Sequence, residues 1–99
     1  MDNLPTTTFA GIRRGFDPSL SYLIVVNTSA YGQPADFDCI HKRLAGLQAG
    51  IVNTALYREV ETGRLLLVLT LTPALAVFIQ QHLTGSRLPV QLAAYFYGS

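Results

Sequence analysis

The sequence predicts a single α+β domain in which a four-stranded antiparallel sheet carries two helices on one face. The clearest evidence is the segment 64–85, which has no charged residue after Arg64. Its first half alternates leucine with other residues, as one face of a strand does, and its second half repeats apolar residues at helical spacing. A continuous apolar run at 23–26 also predicts a strand that is covered on both faces.

Residues 1–19 are predicted to form a flexible N-terminal arm, and residues 20–99 the single domain. Threonines, glycines and the pair Asp17-Pro18 interrupt any regular period in the arm. The first strand is predicted at 21–28. The first helix is predicted to follow from about residue 34 to residue 47, because apolar residues recur along it every three or four positions.

The second strand is predicted at 51–61, and Thr62-Gly63 is typical of a tight hairpin turn into the third strand. The second helix begins with Thr72 as its N-cap and Pro73 at its first position. Gly85 is predicted to end that helix. Its buried face is predicted to contain Leu75, Phe78, Ile79 and His82.

The last strand is predicted at 89–97, which completes the order strand, helix, strand, strand, helix, strand. This order is the ferredoxin-like βαββαβ arrangement. Right-handed crossovers place the first and third strands in the centre of the sheet and the second and fourth at its edges.

One face of this predicted sheet is open, and it is apolar. The residues expected there are Leu66, Val68 and Thr70 on the third strand, with Tyr95 and Tyr97 on the fourth. Hydrophobic residues make up 49% of the chain and charged residues only 13%, which leaves apolar surface for a small domain to cover. We therefore expect a homodimer, or binding of another protein, through these five residues or through the edge strands.

The sequence contains one cluster of residue types used in catalysis, Asp36-Phe37-Asp38-Cys39-Ile40-His41. On a helix, residues two apart point about 200° apart, so neither the two aspartates nor Cys39 and His41 converge. No phosphate-binding glycine loop, zinc ligand set or nucleophile elbow is present. The sequence thus indicates no catalytic residue, metal or cofactor, and it favours a non-enzymatic interaction or regulatory protein.

The alternative function is nucleic-acid binding. Arg13, Arg14, Lys42 and Arg43 form a small basic patch if the arm folds near the first helix. The formal net charge of +1 weakens this alternative, because nucleic-acid-binding domains are usually basic.

The expected location is the cytoplasm. The single Cys39 cannot form an intramolecular disulfide, which fits a reducing compartment. The first 17 residues lack the apolar core of a signal peptide. The apolar run after Arg64 is too short to span a membrane, so no membrane association is expected.

Three segments resemble the small ferredoxin-like ribonucleases of CRISPR adaptation and the GhoS-type antitoxins. They are the strand 21–26, the helix that ends in Lys42-Arg43-Leu44, and the segment 69–73. The resemblance implies a ferredoxin-like fold and a role in nucleic-acid binding or as an antitoxin. Metal-dependent members carry an aspartate at the end of the first strand, whereas this chain has Val26-Asn27-Thr28 there. The resemblance therefore implies binding rather than metal-dependent cleavage.

Overall fold

The computed structural model describes residues 4–29, 32–84 and 88–98. Its strands are β1 (Thr6–Thr7), β2 (Ser21–Asn27), β3 (Ile51–Glu59), β4 (Leu65–Leu71) and β5 (Leu92–Tyr97). Its helices are α1 (Phe9–Arg14), α2 (Asp38–Arg43) and α3 (Pro73–Thr84), with short 3-10 turns at Pro34–Phe37 and Gln48–Gly50. The predicted helix stop at Gly85 lies outside the described residues.

The sheet corrects the predicted fold. It has five strands in the order β1-β3-β4-β2-β5, and β1 runs parallel to β3. The prediction of a four-stranded antiparallel ferredoxin-like sheet with two helices is therefore wrong, because the described residues form a mixed sheet and three α-helices. The additional strand and helix come from residues 6–14, inside the segment predicted to be a flexible arm. Consequently β3, which was predicted at an edge, has β1 beside it.

Backbone hydrogen bonds and a helix cap hold the N-terminal segment in place. Arg58 donates its amide to the Pro5 carbonyl, and Val60 donates to Thr7, both at 3.0 Å. Thr8 then caps α1, because its hydroxyl oxygen accepts from the Gly11 amide at 2.9 Å. A helix begins at this cap because one of its first unpaired amides is satisfied there.

The apolar side of the N-terminal segment packs on the sheet face that was predicted to be open. The contacting side chains are Phe9, Ile12 and Phe16 from that segment, and Ile24, Val26, Leu66 and Val68 from the sheet. On β4, Leu66 is completely buried and Val68 is 6% exposed. The chain therefore covers much of this face with its own residues.

The opposite face carries α2 and α3 and the larger core. Phe37, Ile40 and Leu44 lie on one side of that core, and Ala76, Ile79 and Leu83 of α3 on the other. Alternate residues of β2 and β4 complete it, namely Leu23, Val25, Leu65, Leu67, Leu69 and Leu71. The predicted assignment of β4 residues to the two faces is confirmed. The sheet lies between two helical layers.

The two helices of this face differ in detail from the expectation. The predicted cap of α3 is confirmed, since the Thr72 hydroxyl accepts from the Leu75 amide at 3.3 Å. However, Phe78 is 53% exposed and His82 is also exposed, so the buried side of α3 is rotated from the predicted one. The helix expected at 34–47 is shorter, because only 38–43 is α-helical. Within the described residues, no helix is long and apolar enough to cross a membrane.

Candidate interaction site

The two edges of the sheet are built differently. At one edge β1 pairs only with Arg58 and Glu59, so it covers just one end of β3. The rest of β3 contains a register shift between Ile51 and Asn53, where Val52 is the extra residue. At the other edge β5 pairs with β2 over six residues without any shift. Bulges protect natural edge strands from pairing with other chains, so β3 is protected and β5 is not.

The direction of the β5 amides follows from one hydrogen bond. Thr28 donates its amide to the Gln91 carbonyl at 2.7 Å, so this pair is a hydrogen-bonded pair of the β2–β5 ladder. In an antiparallel ladder such pairs alternate with non-bonded ones. The backbone groups of Ala93, Tyr95 and Tyr97 therefore face β2, and those of residues 92, 94 and 96 face outward.

Two outward amides of β5 have no partner in the described part of the chain. Leu92 donates its amide to the Pro89 carbonyl at 3.0 Å. Among the described residues, no strand lies beyond β5 to accept from Ala94 and Phe96. Unpaired outward amides on a regular strand form a template for strand addition.

The side chains of β5 do not protect it either. The segment from Leu88 to Gly98 contains no charged residue, and the only proline in it precedes the strand. Tyr95 is 47% exposed, and Val90, two residues before the strand, is 98% exposed. Charges and prolines within a strand are the usual means by which an edge avoids other chains, and β5 has neither.

The five interface residues predicted from the sequence share one sheet face, and only some of them reach the surface. Register places Leu66, Val68 and Thr70 of β4 on the same face as Tyr95 and Tyr97 of β5. Leu66 and Val68 are buried under α1, and Thr70 and Tyr97 are partly buried. Tyr95 is therefore the most accessible of the five, and it lies on the unprotected edge strand.

The four predicted basic residues are divided between the two faces of the sheet. Arg13 and Arg14 belong to α1, whereas Lys42 and Arg43 belong to α2 on the opposite side. The structure therefore does not bring the two pairs together. The guanidinium carbon of Arg13 lies 5.2 Å from the centre of the Tyr97 ring.

An aromatic cluster joins α1 to the sheet beside these arginines. Phe16 stacks on Tyr22 with ring centres 3.8 Å apart, and Phe16 lies 5.7 Å from Tyr97. Phe9 meets Tyr95 edge to face at 6.1 Å. The Tyr22 hydroxyl oxygen accepts from the Asp17 amide at 2.7 Å.

An open cleft of about 500 Å³ lies next to this cluster. It is lined by Ala10, Arg13, Arg14, Phe16, Tyr97 and Gly98. Phe9 and Phe16 were not predicted to have a role, although the spacing of Phe9, Ile12 and Phe16 after Thr8 is that of a capped helix.

The segment 36–41 contains the residue types used in catalysis, for which the sequence predicted no catalytic role. Asp36 faces Asn27, which is completely buried at the end of β2 and donates its side-chain amide to the Asp36 carboxylate at 2.7 Å. Hydrogen bonds from the Gln33 amide and from Asn27 lower the pKa of Asp36. Asp38 and His41 are exposed on α2. Across the described ranges, no three histidine, cysteine, aspartate or glutamate side chains come close enough to hold a metal ion.

No protein-family model, curated protein or solved structure matches this chain. The resemblance to CRISPR-associated ribonucleases and antitoxins therefore remains a prediction.

Proposed function

We propose that the chain is a small non-enzymatic interaction module that forms a homodimer by antiparallel pairing of its β5 edges. The outward amides of Ala94 and Phe96, on a regular strand without protection, support this proposal. Each amide that pairs with a carbonyl of a second copy replaces a bond to water by a bond within a sheet. Pairing also covers apolar side chains of the edge strand.

A second copy fits the edge because β5 is complementary to itself. In an antiparallel arrangement centred on Tyr95, each Ala94 lies opposite Phe96 of the second copy. A small side chain then meets a large one on one face, and two tyrosines meet on the other. No like charges oppose one another, because β5 is uncharged.

The experiment is size-exclusion chromatography with light scattering on the wild type and two proline variants. Ala94→Pro removes an outward amide of β5 and leaves the ladder to β2 intact. Thr54→Pro is the matched control. The Glu59 amide donates to the Arg64 carbonyl, so these two residues are a hydrogen-bonded pair of the β3–β4 ladder. Because such pairs alternate along the ladder, the Thr54 amide faces outward at the bulged edge.

We expect the wild type and Thr54→Pro to have twice the 10.8 kDa mass of one chain, and Ala94→Pro to be a monomer. Circular dichroism verifies that each variant is folded. A wild-type monomer at all concentrations contradicts the proposal. A dimer that survives Ala94→Pro contradicts the assignment to β5. A monomer that captures a strand of another protein through β5 shows instead that the occupant is a different chain.

A second proposed function is nucleic-acid binding through the predicted basic residues, which lie in two separate pairs, Arg13 with Arg14 and Lys42 with Arg43. The supporting observation is that Arg13 and Arg14 form no ion pair with any residue in the described part of the chain. Binding to a labelled oligonucleotide that weakens with added salt is the expected result. No binding at low salt contradicts it.

We also propose a cytoplasmic location. The support is the single cysteine, Cys39, which is free and half-buried. Fractionation of cells that express the tagged chain tests this, with recovery outside the cytoplasmic fraction as the contradicting result.

A further inference from the structure

We infer that α1 and the end of β5 form a binding site for single-stranded nucleic acid, with phosphate on the two arginines and a base against the tyrosines. The inference rests on the second function proposed above and narrows it to one face of the sheet. It divides the four basic residues, since Arg13 and Arg14 belong to the site and Lys42 and Arg43 do not.

The first support is uncompensated positive charge. Residues 4–16 contain two arginines and no carboxylate, and residues 88–98 have no charge at all. The nearest acid along the chain is Asp17, whose carboxylate accepts from the amide and the hydroxyl of Ser19 at 2.8 and 2.7 Å. These hydrogen bonds lower the pKa of Asp17 and keep it negatively charged, and Asp17 forms no ion pair with Arg13 or Arg14 among the described residues. Neither arginine is neutralised by an ion pair with a described residue. The two arginines outnumber the one carboxylate of Asp17, so the charge at this end of the domain favours an anion.

The second support is aromatic surface in contact with that charge. Arg13 lies over the Tyr97 ring, and Tyr95 points to the same face two residues away. Pairing of β5 edges uses backbone groups in the plane of the sheet, so the Tyr95 ring stays on the α1 face in the proposed dimer as well. Alternate residues of a strand are about 6.6 Å apart, so both rings are within reach of one short segment of ligand. Unstacked bases bind to aromatic rings and to guanidinium planes, which are both present here.

The lining of the cleft agrees with a nucleotide. The cleft extends from Ala10, Arg13 and Arg14 to Phe16 and Tyr97, so a ligand in it can meet both the arginines and an aromatic ring. The cleft is open, and Gly98 in its lining offers no side chain that would block a strand of ligand. Duplex bases are stacked on one another and unavailable to Tyr95, so the ligand is single-stranded.

The experiment measures the anisotropy of fluorescein-labelled oligothymidylate and oligouridylate of about 12 nucleotides, a length within the usual site sizes for single strands. The whole chain is titrated at several salt concentrations. Two phosphate contacts give a slope of roughly −1.4 for log affinity against log salt, since each contact on a single strand contributes about −0.7. For Arg14→Gln we expect the magnitude of this slope to fall by about 0.7, because one phosphate contact is lost. For Arg14→Lys we expect the wild-type slope, because lysine keeps the positive charge.

Tyr95 provides a matched pair of variants for the aromatic half of the site. Tyr95→Phe keeps the flat ring, and we expect wild-type affinity. Tyr95→Leu keeps an apolar side chain against Phe9 but removes the ring, and we expect binding to weaken roughly 5- to 160-fold. Circular dichroism of both variants verifies that α1 remains packed.

The outcomes separate this inference from the broader proposal. If Lys42→Gln weakens binding as much as Arg14→Gln, nucleic-acid binding stands and the α1 site is wrong. Absence of oligonucleotide binding at low salt overturns both. If inorganic phosphate or adenosine monophosphate competes as well as unlabelled oligonucleotide, the site takes a free phosphate compound and the polymer assignment is wrong. Equal affinity for duplex DNA also contradicts the role of Tyr95.

Discussion

The amide of Thr28 donates to the carbonyl of Gln91 at 2.7 Å, and this single bond sets the orientation of every amide in β5. Because hydrogen-bonded pairs alternate along an antiparallel ladder, the bond leaves Ala94 and Phe96 with outward amides. The opposite edge is interrupted by a bulge and partly covered by β1. Strand addition is therefore expected at one edge of this sheet.

The first prediction concerns the cover of the sheet by α1. Ile12→Ala removes apolar atoms that pack on the cluster around Leu66 and Val68. We expect a loss of about 1–3 kcal/mol in the free energy of unfolding, less than for a fully buried isoleucine because Ile12 is half-buried. Urea denaturation measures it.

The control for Ile12→Ala is Val77→Ala, since Val77 is 57% exposed on α3. The expected change is below about 0.5 kcal/mol. Equal effects of the two substitutions would show that α1 does not stabilise the sheet.

The second prediction concerns the pH dependence of stability at Asp36. Hydrogen bonds from Gln33 and Asn27 lower its pKa in the folded chain below the ordinary value of 3.8. In the acidic range the unfolded chain therefore binds more protons at Asp36 than the folded chain does. The Asp36 carboxylate stabilises the fold at pH values above its unfolded pKa, and this stabilisation is lost as the pH falls through its folded pKa.

We expect Asp36→Asn to be less stable than the wild type at pH 7, and the difference to shrink between about pH 5 and pH 2. Thermal unfolding of both proteins across this range measures it. Asp17→Asn is the comparison, because hydrogen bonds from Ser19 lower the pKa of Asp17 as well. A difference at Asp36 that does not change with pH would mean that the carboxylate charge is not involved.

The third prediction concerns the turn between β3 and β4. Gly63 has a φ of +73°, and a Cβ added there would meet no heavy atom within 4 Å. The cost of Gly63→Ala is therefore conformational, and we expect a loss of about 1–2 kcal/mol in unfolding free energy. Gly63→Asn should lose less, because asparagine tolerates this region better. Equal losses, measured by urea denaturation, would contradict the explanation.

Much of the sheet was predictable because its apolar pattern is strong. The alternation of Leu65, Leu67, Leu69 and Leu71 placed β4 and assigned its two faces correctly. The pair Thr72-Pro73 located the start of α3 for a physical reason, since capping is local and depends on few residues.

The N-terminal segment was not predictable in the same way. Its helix has six residues, and Gly11 and Gly15 weaken its helical signal. It forms because Phe9, Ile12 and Phe16 bury apolar surface on the sheet, which is a tertiary effect. The same burial changes which residues of the predicted interface can contact a partner. Because α1 covers Leu66 and Val68, the β5 edge is the part of that interface that stays accessible.

The same limit applies to α3. Its predicted face included Phe78 and His82, but both are exposed, and their rings stack at 6.3 Å. A helix with apolar residues on several sides does not specify which side is buried. The sheet decided that, because Ala76, Ile79 and Leu83 fit against it.

The most direct test of the homodimer is amide hydrogen exchange, measured by NMR at several protein concentrations. Exchange at Ala94 and Phe96 reports on the outward side of β5, and exchange at Thr54 is the reference at the other edge. Pairing between copies predicts protection of Ala94 and Phe96 that rises with concentration, with Thr54 unchanged. Fast exchange of Ala94 and Phe96 at every concentration would contradict the account.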